Sequence, residues 1–308
     1  MYAMKHICVI ARKKASTVPS RLQIAKADIK AFFDAHSPHV LKLREIAKLL
    51  SEQSPGWRLA KSTTTNEFID FLAKNGLERL AFAFPNGPET LYVWGQVPLL
   101  EAVLYLNKRS YFSHYTAMQW HGLTEQLPKV LYISHERPRE VQASELDQEA
   151  IDAAFKRPPR VSKNTADLKG RRIILINSAF SDEKGVISQE VLRGSPEAAT
   201  VRMTNLERTL IDAAVRPFYS GGTHEVGKAF QLAHGRVSVN TLCAMLKQLG
   251  YAYPYHQAIG YYMERAGYSG SQLDLLRRFP QRFDFYLTHE MVETTYVEAW
   301  RLFVPKGF

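Results

Sequence analysis

Charged side chains inside an apolar helical pattern are the most informative feature of this sequence. In the segment 203–212, leucine and isoleucine recur at helical spacing, and Glu207, Arg208 and Asp212 stand among them. Asp212 follows Arg208 by one helical turn, so the two side chains share a helix face. Thr204 and Glu207 have capping-box spacing, which predicts the start of the helix. Such ionic groups need partners, which indicates either a buried salt-bridge network or a functional surface.

Two further clusters could do chemistry. Ser113 and His114 resemble a nucleophile pair, but the sequence offers no third member and no oxyanion loop, so a capped helix ending at Gly122 is the simpler interpretation. Tyrosines are dense between residues 251 and 262. They could stack on a nucleic acid, although a half-buried core or a partner surface is the favoured interpretation.

The patterns of several enzyme classes are absent from the sequence. It has no His-Glu-x-x-His, no phosphate-binding Gly-x-x-x-x-Gly-Lys-Ser/Thr loop and no Gly-x-Ser-x-Gly. It also lacks the Asp-x-Asp pair with which a nucleotidyltransferase holds two metal ions. The triplets 182–184 and 167–169 (Asp-Glu-Lys and Asp-Leu-Lys) come nearest to a metal-dependent nuclease, but solvated loops explain them better. We therefore predict a protein that is not an enzyme and has no metal or cofactor.

Because no carboxylate pair accompanies Arg208 and Asp212, these two side chains are predicted to tie their helix to the core, with Glu207 closing the cap.

Charge and cysteine content narrow the class of protein. The chain has 308 residues and a formal net charge of +10, which favours a polyanionic partner. Residues 1–95 hold 14 Lys/Arg against 8 Asp/Glu, a net of +6, so the basic excess is concentrated in the first third. Cys8 and Cys243 stand far apart, which fits neither a disulfide framework nor a zinc site. No apolar run reaches membrane-spanning length and no secretory signal is recognisable, so we expect a cytoplasmic protein without a membrane partner.

Three helices followed by a hairpin are predicted in the first third of the chain. The helices are expected at 23–34, 41–53 and about 63–74, the last capped by Ser62 or Thr63, and the strands at 77–84 and 91–94. This is the element order of a winged helix-turn-helix. We therefore divide the chain into a basic N-terminal arm (1–20), a winged helix-turn-helix DNA-binding domain (21–96) and a C-terminal domain (97–308).

The predicted DNA contacts follow from this assignment. In a helix-turn-helix the N-terminal residues of the second helix meet base edges and phosphates, and here they are short, polar and basic. The predicted contacts are Lys61, Ser62, Thr63, Thr64, Thr65 and Asn66, with Lys42, Arg44, Arg58 and Arg79 flanking them and Arg12, Lys13 and Lys14 on the arm. A small protein-interaction module is the alternative.

The C-terminal domain is predicted to be mixed α/β, and the whole chain α+β. A strong β pattern covers 172–176, and from residue 206 onward the chain is predicted to be mostly helical, with a closing strand at 298–303. The elements do not alternate strictly, so a doubly wound sheet is not expected.

Three segments resemble the AbiEi antitoxins of type IV toxin–antitoxin systems. They are the predicted winged helix at 21–95, the segment 111–123 with the strand 130–134, and the segment 204–212 with the later helix 258–267. Ala258 departs from the family pattern, in which arginine is common at that position. The residues that carry the motif are Ser113, His114, His121, Gly122, Glu207, Arg208, Asp212 and Gly260.

The resemblance implies a function that the residues alone do not. Such proteins repress their own operon by binding inverted repeats in double-stranded DNA through the winged helix. The second domain opposes a nucleotidyltransferase toxin of the AbiEii type, without requiring a stable complex with it. The alternatives are a DNA-targeted metal-dependent nuclease and a ligand-responsive winged-helix repressor.

Overall fold

The structure, a computed structural model, describes residues 19–127, 129–138 and 146–308. The predicted contacts Arg12, Lys13 and Lys14 lie outside the described residues. Within the described ranges, helices and sheets are mixed along the chain, as the α+β prediction requires at that coarse level.

The first third of the chain contains helices and a small three-stranded antiparallel sheet. The elements are α1 (Arg21–Ile24), α2 (Lys26–Ala35), β1 (Val40–Leu41), α3 (Leu43–Gln53), α4 (Thr65–Ala73), β2 (Leu77–Phe84) and β3 (Gly87–Trp94). The sheet order is β1-β3-β2. The predicted order of helices and hairpin is confirmed, with the first helix divided in two at Ala25.

The cap of α4 differs from the prediction. Thr64 caps the helix, and neither Ser62 nor Thr63 does: the Thr64 hydroxyl accepts from the Glu67 amide at 3.2 Å. In return, the Thr64 amide donates to the Glu67 carboxylate at 2.9 Å. Of Ser62, Thr63 and Thr64, only Thr64 has an acid three residues later, which is what a capping box needs.

The small sheet is covered on both faces. Tyr92 and Trp94 of β3 belong to the core formed with the helices. The neighbouring residues Leu91 and Val93 point the other way and join the core of the second half of the molecule, together with Phe82 of β2. Successive side chains of a strand alternate between faces, so β3 contributes to two cores at once. The two predicted domains therefore share a continuous hydrophobic cluster.

The centre of the molecule is a six-stranded mixed sheet. Its strands are β4 (Tyr111–Phe112), β5 (Val130–Glu136), β6 (Thr165–Leu168), β7 (Arg171–Ser178), β8 (Val186–Val191) and β9 (Ala199–Thr204). Their spatial order is β6-β7-β5-β4-β9-β8. The pairs β5–β7 and β4–β9 are parallel, and the others are antiparallel. Three helices lie between β3 and β6 along the chain: α5 (Leu99–Ala102), α6 (His114–Trp120) and α7 (Gln148–Phe155).

The last hundred residues form a helical layer closed by a small sheet. The elements are α8 (Leu206–Val215), α9 (Thr223–Leu232), α10 (Val239–Leu249), α11 (Tyr255–Arg265), α12 (Gly270–Arg277), β10 (Phe285–Tyr286), β11 (Thr294–Val297) and β12 (Leu302–Pro305). The predicted closing strand at 298–303 is wrong in its first half. Residues 298–300 form a 3-10 turn that buries Trp300, whose indole nitrogen donates to the Glu264 carboxylate at 2.8 Å.

Candidate functional site

The start of α8 is built differently from the prediction. The helix is capped by Asn205, whose side-chain oxygen accepts from the Arg208 amide at 2.9 Å. Thr204 ends β9, where it pairs with Val186 of β8. Glu207 accepts from the amide of Ser238 at 3.0 Å, immediately before α10. The predicted capping box between Thr204 and Glu207 is therefore wrong. Thr204 is part of the sheet, and the Glu207 side chain links α8 to the start of α10.

The predicted pairing of Arg208 with Asp212 is confirmed. Arg208 Nε lies 2.8 Å from Asp212 Oδ1, and the two side chains are only 5% and 7% exposed. Arg208 Nη1 also donates to the Lys184 carbonyl at 2.7 Å and to the Ser181 hydroxyl at 3.1 Å. Burial lowers the pKa of Arg208, but the Asp212 carboxylate and nearby tyrosines outweigh burial and raise it above its ordinary value. The guanidinium therefore stays charged inside the protein.

Ser113 and His114 form a buried hydroxyl–imidazole network. Ser113 Oγ lies 2.8 Å from His114 Nδ1 and 2.8 Å from the Ser134 hydroxyl. His114 adopts a left-handed backbone conformation, with φ of 51°. Burial, and then the charges of Arg216 and Arg208, hold its pKa well below the ordinary value, so the imidazole is neutral at pH 7. Ser113 is fully buried within this network, which favours the structural interpretation over a nucleophile pair.

One cavity brings together motif residues that are far apart in the sequence. It has a volume of about 600 Å³ and is lined by His114, Arg208 and Asp212. Three further cations line it, which we had not predicted as site residues: Arg137, Lys184 and Arg216. The tyrosine-rich segment supplies another wall through Tyr251, Tyr253 and Tyr255. Arg216 stands one helical turn after Asp212, so the 208, 212, 216 spacing was the signal in the sequence that could have identified it.

The remaining motif residues have packing roles. His121 Nε2 lies 2.7 Å from the Thr204 carbonyl, and Gly122, with φ of 66°, follows the end of α6. Gly260 lies on α11 against Trp300, where a Cβ atom would come within 2.1 Å of the indole ring. These residues connect α6 to β9 and α11 to the C-terminal turn.

The predicted DNA-contacting segment lies at the N-terminus of α4. Lys61, Ser62, Thr64 and Asn66 are exposed, and Thr63 and Thr65 are half-buried. The structure therefore places the whole segment at one exposed helix end.

The flanking cations divide into two groups. Arg44 and Arg58 are exposed. Lys42 is engaged: its Nζ donates to the Leu106 carbonyl at 2.8 Å. Arg79 pairs with Asp70 of α4 at 2.5 Å. Lys42 and Arg79 are therefore tied to neighbouring parts of the protein.

The acidic side chains of this region are mostly engaged. Glu45 and Glu67 accept from backbone amides at the starts of α3 and α4, at 2.6 and 2.9 Å. Asp34 accepts from the Trp94 indole at 2.7 Å, and Glu78 pairs with Lys169 of the second half at 2.9 Å. Among the described residues, several cations of the same region have no carboxylate partner within salt-bridge distance. They are Arg21, Lys26, Lys30, Arg44, Arg58, Lys61 and Lys74.

The acidic triplets considered for a nuclease are held by arginines. Asp182 and Glu183 both face Arg109, at 3.7 and 2.5 Å, and Glu183 also bonds Arg202. Asp167 pairs with Arg172 at 3.1 Å. In the part of the chain that the structure describes, no three His, Cys, Asp or Glu residues stand close enough to share a metal ion. None of the described helices has both the length and the apolar character needed to cross a membrane.

Comparison with known proteins bears on the fold. The sequence matches no protein-family profile, and it matches no curated protein. Its fold is similar to that of the protein Rv2827c from Mycobacterium tuberculosis, with a TM-score of 0.54. The similarity covers 91% of each chain at 13% sequence identity. At that identity the likeness concerns the fold alone.

Proposed function

We propose that the protein is a DNA-binding antitoxin that represses its own operon and opposes a nucleotidyltransferase toxin. In this proposal the segment 21–96 is a winged helix-turn-helix, α4 is its recognition helix, and the protein is not an enzyme. The C-terminal region carries the antitoxin role.

The observation that carries the DNA-binding part is the charge arrangement around α4. Most acidic side chains of this region accept hydrogen bonds or form ion pairs, whereas Lys61, Arg44 and Arg58 are exposed and have no described carboxylate partner. The three cations are therefore charged groups of this surface that remain available to a phosphate. A helix N-terminus adds partial positive charge and backbone amides, both of which favour phosphate.

The order of elements agrees with this proposal. Two helices, α3 and α4, precede a β2–β3 hairpin that pairs with β1, which is the arrangement expected of a winged helix. The hairpin packs on the second half of the molecule through Phe82 and Leu91. We therefore assign sequence readout to α4 and not to the hairpin.

The test compares two lysines of the α4 region. Lys61→Ala removes a cation before the helix, whereas Lys74→Ala removes one at its C-terminal end. DNA from upstream of the protein's own gene is titrated over a range of salt concentrations. We expect Lys61→Ala to weaken binding and to reduce the salt slope by about 0.9, the value for one phosphate contact. Lys74→Ala should change neither quantity, and equal effects of the two substitutions would refute the assignment of α4.

Base reading is tested separately at Asn66. The Asn66→Ala variant should lose about 1–3 kcal/mol of discrimination at one base-pair position, because Asn bonds adenine through two hydrogen bonds. Binding to a library of single-base operator variants measures this. Uniform weakening across the library would show that Asn66 contacts only the backbone.

The antitoxin part is tested in cells. We expect the full chain to rescue growth when it is produced with a nucleotidyltransferase encoded next to it. The Lys61→Ala variant should still rescue growth while derepressing the operon, because the two roles lie in different regions. Loss of both activities in this variant would contradict that division.

A further inference from the structure

We propose that the cavity beside Arg208 binds a nucleoside phosphate, with the phosphate on Arg208, Arg216 and Lys184 and the base or sugar against the tyrosine wall. The cavity lies in the C-terminal region and shares no residue with the α4 surface. The proposal therefore does not depend on DNA binding.

Among the described residues, the cations of the cavity lining outnumber the carboxylates that could neutralise them. Asp212 is the carboxylate among the lining residues, and Arg208 Nε already holds it. Arg208 uses Nε and Nη1 for bonds within the protein, and its Nη2 donates to no acceptor among the described residues. Arg216 and Lys184 face no described carboxylate within salt-bridge distance. Arginine offers a planar fork of donors that matches phosphate oxygens.

Arg208 is also fixed in place before any ligand arrives. Its bonds to Asp212, Ser181 and the Lys184 carbonyl hold the guanidinium plane at the cavity wall. A buried cation with a donor left over is costly unless an acceptor or water reaches it. Pre-positioned donors lower the entropic cost of ligand binding, which favours a specific site over a diffuse basic surface.

The cavity lining also contains aromatic rings. Tyr251 and Tyr255 meet edge to face with centroids 5.3 Å apart, and Tyr253 and Tyr255 do so at 6.0 Å. These rings are held by mutual packing and by Phe285. Ordered aromatic side chains provide a surface for a base or sugar. A neutral His114 adds an uncharged hydrogen-bonding group.

The size of the cavity selects among anions. A volume of about 600 Å³ falls in the range of small-molecule sites and far exceeds what inorganic phosphate fills. Cations and tyrosines in one lining fit an organic phosphate with an aromatic part. A mononucleotide is a common biological molecule with that combination.

The experiment titrates the full-length protein with the 5′-mono- and diphosphates of the four ribonucleosides, using calorimetry. Inorganic phosphate and the corresponding nucleosides are titrated as half-ligands. We expect at least one nucleotide to bind, at least tenfold more tightly than either of its halves. Failure of every nucleotide to bind would overturn the proposal, and so would inorganic phosphate binding as tightly as the nucleotides.

Variants locate the site. Arg216→Ala and Lys184→Ala should each weaken nucleotide binding at least tenfold, because each removes one phosphate contact. Both should keep the thermal unfolding midpoint, since neither side chain holds a described ion pair. Arg278→Ala is the matched control, because Arg278 is exposed and lies outside the cavity. Equal losses in Arg216→Ala and Arg278→Ala would overturn the site assignment. DNA affinity, measured on the same Arg216→Ala sample, should be unchanged, which separates this proposal from that of the α4 surface.

Discussion

At the scale of single residues, Arg208 forms a buried ion pair and also lines a cavity. The sequence placed Arg208 and Asp212 on one helix face, and the structure buries the pair. The same guanidinium holds the Lys184 carbonyl, so it fixes the loop that precedes β8. Removing either partner of such a buried pair destabilises the protein, because the remaining charge is left without compensation.

The Arg208–Asp212 pair makes a prediction about stability. Arg208→Met should destabilise the protein by about 3–5 kcal/mol, because it leaves Asp212 buried without its cation. A double-mutant cycle that combines Arg208→Met with Asp212→Asn, with unfolding free energies measured in urea, should give a coupling energy above about 1 kcal/mol. The exposed pair Arg277–Asp274, with N–O separation of 3.0 Å, is the control and should couple by less than about 1 kcal/mol. Similar coupling in both pairs would contradict a structural role for Arg208.

At the scale of elements, the periodic apolar pattern predicted the helices well, but local residue spacing predicted the N-caps of α4 and α8 incorrectly. The C-terminal helices expected from residue 206 onward are confirmed as α8 to α12. The predicted cap of α8 was wrong because Thr204 pairs with Val186 in the sheet, and local sequence does not reveal a strand partner. A capping box is a pattern of neighbouring residues, whereas β pairing is set by distant ones.

The contact between α11 and the C-terminal turn makes a prediction at this scale. Gly260→Ala would place a Cβ atom 2.1 Å from the Trp300 ring, so the helix or the indole must move. We expect a loss of about 1–3 kcal/mol in unfolding free energy, the usual cost of overpacking a core. The control is Gly270→Ala in the first turn of α12, where a Cβ meets nothing within 4 Å. That substitution should be neutral or stabilising by up to about 1 kcal/mol, and an equally neutral Gly260→Ala would show that the contact is not tight.

At the scale of the whole molecule, the two predicted domains are joined by a shared core. The sequence analysis divides the chain between residues 96 and 97, yet β2 and β3 insert Phe82, Leu91 and Val93 into the cluster of the central sheet. Glu78 and Lys169 add an ion pair across the same interface, at 2.9 Å. We infer that the proposed DNA-binding surface around α4 is held in a fixed orientation relative to the cavity.

The shared core predicts coupled opening of the two halves. Phe82→Ala should destabilise the protein by about 3–5 kcal/mol, because Phe82 is almost fully buried. Hydrogen exchange should then accelerate both in the β2–β3 hairpin and in β6 and β7. Phe68→Ala, in the separate core beneath the helices, should accelerate exchange mainly in α2 to α4. If Phe82→Ala accelerated hydrogen exchange in the hairpin alone, the two halves would be independent domains.

The sequence by itself determined the mixed α and β character, most helices, the β2–β3 hairpin and the Arg208–Asp212 pair. These features depend on residues within one or two turns of each other, so local periodicity and spacing specify them. Only the tertiary structure decided the strand order of the central sheet and the contact between the two halves. It also decided the cavity, in which His114, Arg208 and Tyr251 meet from three distant segments. Such meetings depend on long-range strand pairing and packing, which a linear pattern does not encode locally.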